Sequence, residues 1–308
     1  MPLYFIQILR PINLVIIAVS QLLLYLCFIN PLFAKYHIVQ ELTGGLQWLF
    51  ILDTVLIAAA GYVVNDIIDN KADSVNKPNK TYISRDKISS TTAWVYYTLL
   101  CTAGAVIAGH IAIKIEKPLL FIIYPLATFL LFMYSKVWKK RPLSGNIVVA
   151  VFCAFVPAII WYAEADGMQK LHQIEPAYVL LFAAYVIFGI LSTFAREIIK
   201  DLEDVEGDRA ANYHTLPIVI GEAKAGSIAI IAISALISSY GLWLLAIWRL
   251  GHWLGMVLMI AMMLLPSIYI LTQTNKSRTK VDYKKISRYL KVLMMISLFV
   301  FLMITINI

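Results

Sequence analysis

The chain has 308 residues, 61% of them hydrophobic and only 14% charged, a balance that excludes an ordinary soluble domain. The apolar residues gather in runs of about 20, the length a helix needs to cross roughly 30 Å of hydrocarbon, so the predicted class is all-α and polytopic in a membrane. The net charge of +8 would suit nucleic acid, but its distribution follows membrane topology instead, so no nucleic-acid partner is expected.

Nine transmembrane helices are predicted, at 12–33, 46–68, 91–113, 118–135, 145–163, 177–199, 226–248, 252–273 and 289–307. The first reads as a retained span, because an arginine precedes it and no small-residue cleavage site follows. Cys27, Cys101 and Cys153 fall in three different spans, form no C-x-x-C pair, and read as small buried apolar residues. Trp48, Trp94, Trp138, Trp161, Trp243, Trp248 and Trp253 all lie near span ends, where interfacial belts would place them. Pro78 and Gly207 are expected to break the helical pattern in the loops at 69–90 and 200–225. No low-complexity segment or soluble domain appears, so residues 1–308 read as a single transmembrane domain.

With the N-terminus in the cytoplasm, 21 of the 26 lysines and arginines fall on inner segments. Only Lys35, Lys114, Lys117, Lys170 and Arg249 fall on outer ones. The positive-inside rule then predicts the N-terminus in, the C-terminus out, and a cytoplasmic-membrane protein.

Spans two and six both end in the same pattern. GYVVNDIIDNKADSVNKP, residues 61–78, carries Asp66, Asp69 and Asp73; DLEDVEGD carries Asp201, Asp204 and Asp208. In each copy the aspartates fall at i, i+3 and i+7, one face of a helix. The copies are 135 residues apart, which suggests two four-helix halves followed by a ninth helix. As mere solvated helix ends the aspartates would be badly placed, because the macrodipole there is already negative. Glu197, Glu203 and Glu206 add to the repulsion unless cations intervene. Carboxylates are hard oxygen ligands suited to Mg²⁺, which binds through a few of them plus phosphate oxygens. Asn65 can add an amide contact. Arg196 and Lys200 precede the second motif, and Lys77, Lys80, Arg85 and Lys87 follow the first, all candidates to bind phosphate or to set topology.

NDIIDNKAD followed by NKPNK, and REIIKDLEDVEGD followed by HTLP, resemble the UbiA-type intramembrane prenyltransferases. The resemblance covers nearly the whole chain and implies nine helices with N-D-x2-D-x3-D on the second and D-x2-D-x3-D on the sixth. Within the family, the NKP, REIIKDLEDVEGDR and PLSGNIVVA segments look most like the branch that alkylates a glycerol hydroxyl with a geranylgeranyl group, making ether lipids. Where that family often continues NKPNRP-x-PSG, this chain reads NKPNKTYISRDKIS. The loop at 74–90 therefore separates a prenylglycerol-phosphate acceptor from an aromatic acid or quinone precursor.

The resemblance implies Mg²⁺-assisted loss of diphosphate from an allylic prenyl diphosphate, and attack by the acceptor on its first carbon. It assigns Asp66, Asp69, Asp201 and Asp204 to the metal shell, with Asn65, Asp73 and Asp208 completing the catalytic motifs. Substrate contacts are expected from Arg10 and Asn13, read as sharing a helix face beside Pro11, and from Tyr134 and at least one lysine of MYSKVWKKRP, with Lys136 and Lys140 chosen ahead of Lys139. Asn146 reads equally as a substrate contact or a helix–helix hydrogen bond, and His214 as a generic loop histidine. Asp53, roughly 18 Å along the helix from Asn65, reads as a packing or interfacial residue, and the Met-rich run at 256–263 as lipid-facing or packing residues, some of them lining a prenyl tunnel. A cation transporter using intramembrane carboxylates is disfavoured, since no ladder of ionisable residues reaches the other face. Membrane lipids are the expected surroundings, and no protein partner is inferred.

Overall fold

The structure is a computed structural model that describes residues 2–76, 82–84 and 87–305, with the backbone alone for Pro2 and residues 71–76. Lys77, Pro78, Lys80 and Arg85 lie outside the described residues, and Asp73 is described only as a helical position. The described residues are almost wholly helical: α1 (Pro2–Gln7), α2 (Pro11–Lys35), α3 (Gly45–Asn76), α4 (Ser90–Lys114), α5 (Leu119–Lys136) and α6 (Ser144–Ala163). These are followed by α7 (Ala165–Ile174), α8 (Pro176–Ala210), α9 (Leu216–Ile220), α10 (Glu222–Arg249), α11 (Trp253–Lys276) and α12 (Lys280–Thr305). Nine of these are long and apolar enough to span a membrane, as expected: all but the short α1, α7 and α9.

The two motif helices outrun their predicted spans. α8 has 35 residues, about 52 Å at 1.5 Å each. It carries its motif beyond the 20 or so residues that a span needs, and Gly207 sits inside it rather than ending it. The stop comes where Asn212 takes a φ of +54°, a left-handed conformation that asparagine tolerates.

The chain forms two compact units, Met1–Leu22 with Glu41–Lys139, and Leu23–Gln40 with Lys140–Ile308. The division falls after the fourth span, as the duplicated motif suggests, but the ninth helix belongs with the second unit and α2 is split between the two.

In the first unit α3, α4 and α5 pack on one another. Gly104 admits the Tyr124 ring against the α4 backbone, and Tyr124 donates its hydroxyl to the Leu100 carbonyl at 3.1 Å. Below them Ile8, Val63, Ile83, Ile88 and Ala93 form a buried cluster that ties α1 and the turn before α4 to α3. Ser89 caps α4 by accepting from Thr92 N–H at 3.1 Å. Arg10, with φ of +53°, joins α1 to α2 and stands outside the helix that Pro11 begins, so it does not share a helical face with Asn13 as expected.

In the second unit α8 packs against α6, α10 and α12. Its aromatic core joins Phe28, Phe182, Tyr185, Phe188, Trp243 and Phe301. Trp243 is thus a core residue, not an interfacial one; Trp48, Trp94, Trp248 and Trp253 are exposed as belts require. Cys27 and Cys101 are half-buried and Cys153 has exposed surface, so none of the three is fully buried within the protein. The Met-rich run buries Met259 and Met263, beside a π-helical turn at Ile260–Leu264.

Candidate active site

Residues four apart share a helix face, so on α3 Tyr62 accompanies Asp66 and Asn65 accompanies Asp69. Both pairs meet a cation. The Arg10 guanidinium donates to Asp66 Oδ1 at 2.9 Å and lies 4.9 Å from the centre of the Tyr62 ring. Lys139 is ion-paired with Asp69 Oδ2 and donates to Asn65 Oδ1 at 3.4 Å. Asp69 is only 3% exposed, and its second oxygen, Oδ1, is buried with no hydrogen-bond partner, as is Asn70 Oδ1. A buried carboxylate oxygen left open is an acceptor site for a cation or a further donor.

Packing explains why Lys139 arrives there. A side chain on Gly61 would stand 2.9 Å from Leu131 Cδ1, so α3 and α5 touch at that point. Eight residues on from Gly61 is Asp69, and eight on from Leu131 is Lys139. Lys139 lies just past the end of α5, in a 3-10 turn over Trp138–Lys140, and the close approach of α3 and α5 sets where that turn stands beside Asp69. Of the three lysines in KVWKK, it is Lys139 that meets the motif, not Lys136 or Lys140, which the sequence reading preferred. Lys136 lies over the Phe132 ring at 5.7 Å, and Tyr134 is half-buried on the same helix. Asn13 sits half-buried in the first turn of α2.

On α8, Glu197, Asp201, Asp204 and Asp208 form one acidic stripe, and Arg196 and Lys200 lie beside it. Asn146, 6% exposed on α6, donates its amide to Asp201 Oδ2 at 2.9 Å. Of the two alternatives posed for Asn146, the structure shows the helix–helix hydrogen bond, and its partner is a motif carboxylate. Arg196 pairs with Glu197 at 2.8 Å, while its Nε is buried without a partner. Asp204 and Lys200 are exposed, and the Asp208 carbonyl accepts from Tyr213 N–H at 2.9 Å. Lys140 lies over the Tyr213 ring at 5.4 Å, and its carbonyl accepts from His214 N–H at 3.0 Å, closing the loop after α8. His214 thus acts through its backbone, as a loop residue.

Among the described residues no three Asp, Glu, His or Cys side chains converge to hold a metal by themselves. Carboxylates in ones and twos with open oxygens, beside cationic donors, fit Mg²⁺, which takes one or two carboxylates and completes its shell with water and phosphate oxygens. The unpartnered Asp69 Oδ1 suits such a cation, and the unpartnered Arg196 Nε suits an anion.

Asp53 lies away from all of these on α3, half-buried, with Oδ1 shielded and unpartnered.

Comparison with known proteins gives the same direction. A family model described as the UbiA prenyltransferase family matches residues 32–293. The digeranylgeranylglyceryl phosphate synthase of Methanothermobacter thermautotrophicus is 29% identical over 301 residues, covering 96% of this chain and 94% of its own. That of Thermococcus sibiricus is 33% identical over 239 residues, 76% of this chain and 75% of its own. Among solved structures, one of a digeranylgeranylglyceryl phosphate synthase shares the fold with a TM-score of 0.72 and 23% identity, covering 99% of this chain and 98% of its own.

Proposed function

Because the chain belongs to the UbiA prenyltransferase family, we propose that it transfers a geranylgeranyl-type group from an allylic diphosphate to the hydroxyl of a prenylglycerol phosphate, in ether-lipid synthesis. The observation that carries the acceptor is the near full-length similarity to relatives named for that product. The whole of residues 1–308 is taken as one catalytic domain, and the repeated aspartate motif supports that reading.

Asp66, Asp69, Asp201 and Asp204 would hold Mg²⁺, with Asp73 and Asp208 completing the motifs. Bound there, Mg²⁺ neutralises charge that develops on the leaving diphosphate. Arg10 and Lys139 now spend their charge on Asp66 and Asp69. Arg10 and Lys139 would also supply positive charge to the phosphate oxygens of a diphosphate bound beside those carboxylates. Arg196 and Lys200 do the same beside the second motif, and Asn146 orients Asp201. The bond between the prenyl C1 and the diphosphate oxygen breaks with its electron pair going to diphosphate. The acceptor oxygen forms the new bond to C1, and its proton passes to a motif carboxylate. Apolar helices keep water from the allylic cation. The excess of basic residues on alternate loops supports placing both motifs on the cytoplasmic face.

The test is a mass-spectrometric screen with purified protein, geranylgeranyl diphosphate, and prenylglycerol phosphate or 4-hydroxybenzoate. Product is expected from the former only, it disappears with chelator, and Asp66→Ala or Asp201→Ala removes it. Product from 4-hydroxybenzoate alone would overturn the acceptor, and full turnover in chelator would overturn the metal.

A further inference from the structure

The first turns of α12 present a surface that the reaction does not use. The helix has 26 residues, about 39 Å against roughly 30 Å of hydrocarbon, so part of it must stand in the headgroup layer. That part and the turns just beyond it are basic: Lys280, Lys284, Lys285, Arg288 and Lys291 are all exposed, and the last two have the length to reach back to the headgroups. At about 100° per residue, Lys280, Lys284, Arg288 and Lys291 fall in an arc of about 80°. Further along, the exposed side turns apolar with Val292, Met295 and Phe299, while Tyr283, Ile286, Leu290 and Leu293 bury the opposite face.

Nothing within the described residues neutralises the stripe. Lys280, Lys284, Arg288 and Lys291 form no salt bridge there. The one acid between 276 and 291, Asp282, is committed to the start of the helix, where it accepts from Thr279 N–H at 3.1 Å, Thr279 Oγ1 at 2.8 Å and Arg278 N–H at 3.3 Å. Where the basic residues give way to apolar ones, Tyr289 meets Tyr269 of α11, their rings 6.0 Å apart and both exposed. Exposed tyrosines at such a boundary mark the membrane interface.

We propose that this face of α12 is a binding surface for anionic phospholipids of the surrounding leaflet. Lys280, Lys284, Arg288 and Lys291 meet the phosphates, the tyrosine pair lies at glycerol level, and Met295 and Phe299 lie along the acyl chains. A topology signal needs only a count of charges near a span. It does not need them in register on one stripe, clear of acids, above an apolar continuation.

The full-length protein is reconstituted in vesicles of equimolar phosphatidylcholine and phosphatidylglycerol, extracted gently, and its retained lipids are counted by native mass spectrometry. Wild type is expected to retain phosphatidylglycerol over phosphatidylcholine by about 10-fold or more. The variant Lys280→Gln/Lys284→Gln/Arg288→Gln/Lys291→Gln falls to near parity, and Lys280→Arg/Lys284→Arg/Lys291→Arg keeps the preference. Raising salt during extraction erodes it in wild type. An equal preference in the glutamine variant, its loss in the arginine variant, or a wild-type preference absent or indifferent to salt each overturns the proposal.

Discussion

Asp69 and Lys139 show how much one side chain can decide. Asp69 is 3% exposed and has one oxygen on Lys139 and the other on nothing. Lys139→Met therefore strands a buried carboxylate, which destabilises the fold as well as removing a phosphate donor. The proposed role predicts a loss of kcat/KM of about 100-fold or more, whereas Lys136→Met, which gives up only a contact with Phe132, stays within about threefold of wild type. Stability and chemistry separate in the double variant Asp69→Asn/Lys139→Met. Its melting temperature in detergent recovers because no buried charge remains, yet its residual activity stays below that of Asp69→Asn alone, which keeps the lysine. Residual activity equal to that of Asp69→Asn would reduce Lys139 to a structural partner. The carboxylates were readable from sequence because their i, i+3, i+7 spacing survives in the chain itself. The choice of Lys139 over its neighbours was not, because it depends on a helix contact 70 residues away.

That contact is between α3 and α5, and Gly61 governs it. Gly61→Leu forces the helices apart or past each other at Leu131, and the error carries down to Lys139 and Asp69 eight residues on. Activity is expected to fall about 10-fold or more while the protein still extracts as a folded monodisperse species, since overpacking costs about 1–3 kcal/mol. Gly104→Ala is the control. Its new methyl meets the Tyr124 ring on α5 and lowers the melting temperature, but it lies far from the motif and leaves the kcat of the surviving protein near wild type. Equal kinetic damage from both would deny Gly61 its place in setting register. The spans were readable because twenty apolar residues leave few other folds. The continuation of α3 and α8 through their motifs was not, because polar residues on a helix and in a loop look alike once the apolar period stops. Nor were α1 and α7, which are too short for a span and are held by tertiary contacts such as Phe5 against Tyr96 and Phe33 beside Gly167.

Charge acts on the entire chain, since orientation in a membrane is a property of all its loops together. With 21 basic residues on one set of loops and 5 on the other, no single loop decides the outcome. Seven of the 21 lie between 276 and 291, the segment that also carries the exposed stripe of α12. Replacing four of them still leaves 17 basic residues on that set of loops against 5 on the other, which is why lipid binding can be tested there without removing the asymmetry. Orientation itself is open to measurement in a variant lacking Cys27, Cys101 and Cys153. Exposed single cysteines are then placed at Gln169, on the α7 turn, and at Asn275, before α12. A membrane-impermeant maleimide is expected to label Gln169→Cys on intact cells, and Asn275→Cys only after the membrane is opened. The reverse pattern would place both aspartate motifs outside, away from any cytoplasmic supply of diphosphates, and the proposed reaction would fail with it. Labelling of both sites on intact cells would mean mixed insertion, which so uneven a charge distribution forbids.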